Sequence, residues 1–357
     1  MATRSNGNGR SNGRSNGNGR AHAKANGSAN GKGNGKANGK SNGKANGKAN
    51  GAAHGRANGS SRSASPRPVP VRPGHPSESK QPRGTLIIIG GHEDKEHDKL
   101  ILRAVAGRVG SGKLVLVTVA SEVPDELWKD YQKVFGELGV KRIVHLHVDT
   151  RAEAKLEENH GVLDGATVVF LTGGEQLKLT SQLGDSPVYE KIHDIYMRGG
   201  TIAGTSAGAS VMCETMLVSG GGSESHRIGS ALRMAPGFGL IPGVIIDQHF
   251  AERGRIGRLT AAVAQNPRIL GVGIDEDTAI VCDDKHCFSV LGAGAVYVVD
   301  GEDVTYTNLT DEESERTLSV FGVRLHILSM GDEFDMHTRQ PSNRSAEDVE
   351  KELVGRN

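Results

Sequence analysis

Three cysteines in 357 residues and no run of 18 apolar residues remove several classes of protein at the outset. Cys213, Cys282 and Cys287 cannot build a disulfide framework and fit a reducing compartment better. Without a long apolar run there is no expected membrane span, and the N-terminus does not resemble a signal peptide. The expectation is a soluble, cytoplasmic protein with no membrane partner. The tripeptides Asn308-Leu-Thr and Asn343-Arg-Ser then carry no weight as glycosylation sites. Cys282 to Cys287 has no second ligand cluster at zinc-like spacing and reads as two thiols bracketing a turn between strands.

Residues 1–83 also lack what a core requires. They repeat Asn, Gly, Lys, Arg, Ser and Ala in a loose four-residue rhythm and end in a proline-rich run from Ser65 to Pro82. Such a composition buries too little apolar surface to offset its ordering entropy, which predicts a disordered tail. The chain's formal charge of +1 hides an asymmetry: the tail carries a net +15 and the remainder −14. A cationic tail reads either as a tether to a polyanion, nucleic acid included, or as a solubilising spacer.

From Gly84 apolar runs alternate with amphipathic stretches of helical length, the pattern of an α/β domain predicted over residues 84–332. Strands are predicted at 85–89, 113–119, 142–147, 166–171 and 200–204. Helices are predicted at 97–109, 125–138, 176–183 and 188–198, and from Ala207 through Met216. The part beyond is richer in strand, at 243–247, 269–274, 278–281, 287–291, 295–299 and 324–328, with a helix near 255–265. Residues 333–357 read as a polar C-terminal segment. Nearly continuous apolar strands imply a mostly parallel sheet with helices on both faces.

Gly204-Thr205-Ser206-Ala207-Gly208 joins a strand to a helix through a sharp turn. A serine there presents its hydroxyl at the sheet edge, and the following N–H faces a developing oxyanion. The competing reading is an ordinary or phosphate-cradling turn. A serine nucleophile needs a base and the base an orienting acid. His249 leaves the end of the apolar strand Ile245–Asp247, and Asp275, Glu276 and Asp277 follow between apolar segments; spacing leaves open which of the three meets the imidazole. The order Ser, His, acid differs from that of α/β-hydrolases of the lipase kind. Arg253, Arg255 and Arg258 place three guanidiniums after the histidine, suited to substrate carboxylates. His92-Glu93-Asp94 with His97 and Asp98 has the look of a metal cluster, but its acids read as structural, and no metal site is expected there. Gly220–Gly222 lacks the Lys-Ser/Thr of a phosphate loop and reads as a loop beside the pocket.

Gly90-Gly91-His-Glu93-Asp94-Lys95, Leu171-Thr-Gly173-Gly174-Glu175-Gln176, Gly204-Thr-Ser206-Ala-Gly208-Ala209, Asp247-Gln248-His249-Phe250 and Gly273-Ile-Asp275-Glu276 together resemble the serine peptidase family of the cyanophycinases and aspartyl dipeptidases. The resemblance spans about residues 84–330. It implies a flavodoxin-like or class I glutamine amidotransferase-like fold, a homodimer, and an exopeptidase releasing β-aspartyl-arginine from cyanophycin through an acyl-enzyme, without metal or organic cofactor. By motif it makes Ser206 the nucleophile, His249 the base, Glu276 the orienting acid, and the Gly174 and Ala207 amides the oxyanion hole. Gln176, Asp247 and Gln248 would line the substrate pocket and accept from an arginyl group. The alternatives are an aspartyl dipeptidase, or a non-catalytic polymer-binding protein tethered by its tail.

Overall fold

The computed structural model describes residues 84–219, 232–282, 286–309, 316–345 and 351. The predicted basic tail, the Gly220–Gly222 loop and residues 346–350 and 352–357 of the C-terminal segment lie outside the described residues. The first half alternates strand and helix: β1 (Thr85–Ile89), α1 (Leu100–Ala106), β2 (Lys113–Val117), α2 (Pro124–Glu137), β3 (Ile143–Leu146), α3 (Glu157–His160), β4 (Ala166–Leu171), α4 (Gln176–Leu183), α5 (Pro187–Met197), β5 (Thr201–Thr205) and α6 (Ala207–Ser210). The pleat sends alternate residues to opposite faces. Leu86 and Ile88 of β1, Val115 and Val117 of β2, and Val169 and Leu171 of β4 therefore join one core, which α4, α5 and α6 cover. Ile87, Ile89, Leu114, Leu116, Val168 and Phe170 join the other, closed by α1 and α2. Each fully buried Leu or Ile side chain contributes roughly 1.5–3 kcal/mol, so both faces must be apolar and the strands read as continuous runs.

Next come the hairpin β6 (Thr215–Ser219) and β7 (Arg233–Pro236), then β8 (Val244–Gln248), α7 (Ile256–Gln265), β9 (Leu270–Ile274), β10 (Thr278–Cys282), β11 (Cys287–Gly292) and β12 (Val296–Asp300). After the short pair β13 (Tyr306–Thr307) and β14 (Val320–Phe321) follow β15 (Arg324–Leu328), β16 (Asp332–Asp335) and β17 (Gln340–Asn343). The main sheet has nine strands in the order β17-β16-β11-β10-β1-β5-β4-β2-β3. From β1 to β3 the pairs are parallel; from β1 through β10 to β17 they are antiparallel, so the sheet is mixed rather than mostly parallel. A second sheet, β15-β12-β9-β8, packs one face on the main core, and α7 covers its other face.

Three sequence expectations need correction. The helix expected over 97–109 starts at Leu100, because the Asp94 carboxylate takes the amides of Glu96, His97 and Lys99 into a turn. The helix expected from Ala207 through Met216 is the single turn α6, after which the chain enters β6. The sheet continues beyond Asp332, because β16 pairs with β11 and β17 extends the edge. Phe334 is the one apolar side chain that β16 buries, and β17 at the edge is polar, so neither strand shows the apolar run that marks the others. β10 ends at Cys282 and β11 starts at Cys287, neither of them in a disulfide, and the turn expected between the two thiols falls on residues 283–285, outside the described residues.

Candidate active site

Parallel strands deliver their carboxyl ends to one rim, where open α/β sheets bind ligands. Here β1 is the anchor of that rim. The Ile89 carbonyl accepts the Ser206 N–H at 3.1 Å, the Gly90 carbonyl the His249 N–H at 2.8 Å, and the Gly91 carbonyl the Asp277 N–H at 2.8 Å. The turns after β5, β8 and β9 are thus tied to three consecutive residues. Since β8 and β9 are parallel neighbours with Gln248 opposite Ile274, the residues just past their ends emerge side by side.

The side chains then form a chain of hydrogen bonds. Ser206 Oγ lies 3.0 Å from His249 Nε2, and His249 Nδ1 lies 2.6 Å from Glu276 Oε1. The flanking acids do other work: Asp275 accepts the Ala251 and Ala295 amides, and Asp277 accepts the Asp94 amide. Ser206, His249, His92 and Asp277 have φ of 52°, 46°, 48° and 47°. Such left-handed conformations cost a non-glycine residue free energy, and they cluster where surrounding structure fixes side chains for chemistry. Gly174 has φ 140°, and a side chain there would collide with the Ala120 carbonyl. The Gly174 and Ala207 amides make no hydrogen bond to another backbone carbonyl among the described residues.

Electrostatics favour a neutral His249. Burial pushes the His249 imidazole below its ordinary value, and the bond to Glu276 opposes this without reversing it. Burial alone would raise the Glu276 carboxyl, but its hydrogen bond to His249 and two neighbouring imidazoles leave it below its usual range. The second of those imidazoles was missed by sequence reasoning. His92 Nδ1 is 3.0 Å from Glu276 Oε2, and its ring meets His249 edge-on at 5.1 Å between centroids.

Gly91 makes this arrangement possible. It has φ 111°, and a Cβ there would overlap the His249 ring. Gly91→Ala is expected to displace the imidazole and lower kcat/KM by about 10²-fold. Steady-state kinetics with circular dichroism as a fold check measures this, and an unchanged rate would contradict the packing.

These residues open on a cleft of about 500 Å³ whose wall includes Gly174, Gln176, Gln248, Arg253, Arg255 and Arg258. A larger cleft of about 700 Å³ lies at the opposite, amino ends of β1 and β5, where Lys191 pairs with Asp164 and Arg198 with Asp194. Its wall carries no Ser–His pair and it stands away from the rim.

Asp247 corrects an expectation. It does not line the cleft; it is 1 % exposed and holds Arg255 Nη1 at 3.1 Å and Arg258 Nε at 2.7 Å, with a second bond from Arg258. A buried carboxylate already paired with two guanidiniums has no place for a third from the substrate, so Asp247 acts on the arginines. Arg255 also meets the Gln248 side chain at 3.1 Å and its carbonyl, and burial lowers the Arg255 guanidinium to about 10. Arg253 is exposed on the cleft wall with no acidic partner among the described residues. Gln176 donates its amide to the Leu217 carbonyl at 2.7 Å, which turns its side-chain oxygen away from that contact.

The acid the sequence reading set aside is Glu93. It is buried in the cleft wall and accepts from Thr205 Oγ1 at 2.6 Å and from the Tyr131 hydroxyl, with no basic nitrogen in ion-pair reach among the described residues. Lys95 lies 4.1 Å over the Tyr131 ring instead. Burial first, then Glu93, pushes the Tyr131 hydroxyl far above its ordinary value.

An α/β sheet with a serine, histidine and carboxylate in sequence at its rim belongs to the class of serine hydrolases. The chain belongs to peptidase family S51, whose model matches residues 86–290, and is a serine-type peptidase. It is 42 % identical over 269 residues to the cyanophycinase of Trichormus variabilis, covering 73 % of this chain and 90 % of that one. It is 38 % identical over 265 residues to the cyanophycinase of Synechococcus elongatus, covering 73 % and 82 %. With that of Geminocystis herdmanii it shares 38 % over 262 residues, 72 % and 96 % of the two chains. The solved structure of a peptidase from an acI-B1 Actinobacterium has the same fold at 22 % identity, with a TM-score of 0.51 over 62 % of this chain and 92 % of that chain.

Proposed function

We propose that this peptidase hydrolyses cyanophycin from chain ends, with Ser206 as nucleophile, His249 as base and Glu276 as its orienting acid. The observation that carries this reading is the continuous Ser206–His249–Glu276 hydrogen-bond chain opening on a cleft with cationic and anionic parts. Ser206 Oγ attacks the main-chain aspartyl carbonyl as its proton passes to His249 Nε2. The Gly174 and Ala207 amides stabilise the oxyanion, each such donor contributing on the order of 3 kcal/mol. His249 returns the proton to the leaving main-chain nitrogen, and water, deprotonated by the same imidazole, then cleaves the Ser206 ester. No step calls for a metal. Incubating purified cyanophycin with the full chain and weighing the products tests this: β-aspartyl-arginine is expected, and no release from folded protein would redirect the assignment to free aspartyl dipeptides.

Substrate selection follows from charge. Arg253, with Arg255 and Arg258 behind it, suits the carboxylates of the chain end. With Asp247 committed to those arginines, two carboxylates stand on the cleft wall; Glu175 accepts the Leu177 amide at the start of α4, and Glu93 is the acceptor for the guanidinium branch. A charge-assisted hydrogen bond contributes about 1.5–3 kcal/mol, so replacing arginine by citrulline in a β-aspartyl oligomer is expected to lower kcat/KM by roughly 10–100-fold. In Glu93→Gln that discrimination should vanish, and its persistence would remove Glu93 from the pocket's specificity.

The base also sets a pH profile. His249 works only when neutral, so activity rises as pH passes upward through its pKa. Burial lowers that pKa, and the acid limb of kcat/KM should therefore lie below the ordinary histidine value of 6.5. A limb above 6.5 would mean that Glu276 dominates over burial.

A further inference from the structure

We propose that His92, Glu276 and His249 form an inhibitory site for a late first-row divalent cation, with zinc as its best fit. One ligand atom from each of the three lies within 4.8 Å of the others, and the contacts His92 Nδ1–Glu276 Oε2 and His249 Nδ1–Glu276 Oε1 are 3.0 and 2.6 Å. Zinc bonds to imidazole nitrogen and carboxylate oxygen are about 2.0–2.2 Å long, which sets tetrahedral ligands roughly 3.3 Å apart. The two nitrogen–oxygen contacts therefore open by a few tenths of an ångström to about 0.7 Å, and the widest separation in the trio, at most 4.8 Å, closes by up to about 1.5 Å. The outer ligands have room for this, since the His92 and Glu276 side chains are 73 % and 27 % exposed. Two imidazoles and one carboxylate select zinc over magnesium or calcium, which prefer oxygen. Water from the cleft completes the coordination.

Position makes the site inhibitory. In the working enzyme His249 donates from Nδ1 to Glu276 and accepts at Nε2. For zinc to bind Nδ1 the ring proton moves from Nδ1 to Nε2; zinc takes the Nδ1 lone pair so freed, and the neutral ring carries its single proton on Nε2. No charge or proton is lost overall, but Nε2 can no longer accept the Ser206 proton, and Glu276 is drawn to the metal. The device depends on His92. It occupies the unspecified position of the Gly-Gly-x-Glu-Asp-Lys turn, and the absence of a side chain at Gly91 lets it stand against the base.

Zinc chloride added to the full-length wild type should stop polymer hydrolysis reversibly, EDTA should restore it, and magnesium at equal concentration should have no effect. His92→Ala, measured against its own metal-free rate, should need about tenfold more zinc or more for half-inhibition. Calorimetry of zinc on Ser206→Ala and on Ser206→Ala/His92→Ala reads the same site without activity, so it stands even if the polymer is not the substrate; the saturable binding of the first should be lost or weakened by the same factor in the second. Equal zinc affinity in the two calorimetric proteins overturns the proposal, as does equal sensitivity of wild type and His92→Ala, insensitivity of the wild type, or equal inhibition by magnesium. His92 is exposed, and its replacement leaves the core intact.

Discussion

Ser206→Ala should lower kcat on cyanophycin by about 10⁵–10⁶-fold while leaving substrate binding and the folded state in place. The magnitude follows from how such groups act: when nucleophile and base function as one unit, losing the nucleophile removes nearly all the acceleration they provide together. The proposed oxyanion donors, the Gly174 and Ala207 amides, and the cleft are untouched, which is why a residual rate above water is expected. The substitution removes one oxygen from a turn fixed by its backbone, since the Ser206 N–H still reaches the Ile89 carbonyl. Single-turnover assays with product mass analysis, beside calorimetric binding of β-aspartyl-arginine, separate the two effects. A fall of only tenfold would mean that another group attacks. His249→Ala should fall comparably, and combining the two should add little.

Asp247→Ala should destabilise the fold by about 3–5 kcal/mol, because it leaves two largely buried guanidiniums without their anion. Side-chain exposures of 1 % for Asp247, 12 % for Arg255 and 9 % for Arg258 keep water from replacing the lost partner. Asp247→Asn keeps the shape and one acceptor and should lie between the two proteins. Denaturant unfolding of the wild type and the two variants reads the order directly. Activity should fall as well, since Asp247 lies two residues before His249 on the same strand end. If Asp247→Ala cost less than about 1 kcal/mol and only raised KM, the carboxylate would belong to the substrate after all, and the pairing with the arginines would be secondary.

The fold was legible where burial dictates composition. Apolar runs placed β1, β4, β8 and β9 to within a residue, because strands covered on both faces admit little but aliphatic side chains. Legibility failed where polar side chains hold the backbone. The delayed start of α1 depends on Asp94 capturing three amides, and its carboxyl is held well below the usual carboxylate range by those bonds. The edge strand β17 and its neighbour β16, Phe334 apart, carry residues that fit a loop equally well. The single-turn α6 read as a longer helix because Ala209 to Met216 is buried almost throughout, and burial alone does not distinguish helix from a folded-back chain.

By itself the sequence determined an α/β layout, a serine held in a glycine-flanked turn, and a histidine following an apolar strand, since these rest on local spacing and on the limited residue types that such positions tolerate. Which of three adjacent acids faces the imidazole, that Asp247 serves the arginines, that Glu93 is buried in the cleft wall beside Thr205 and Tyr131, and that His92 reaches Glu276 were decided only by tertiary structure. Each depends on distances between residues as far apart as His92 and Glu276 in the chain, fixed by the β1 carbonyls that bind three separate turns, and no local pattern encodes a distance between strand ends that meet only after the sheet has formed.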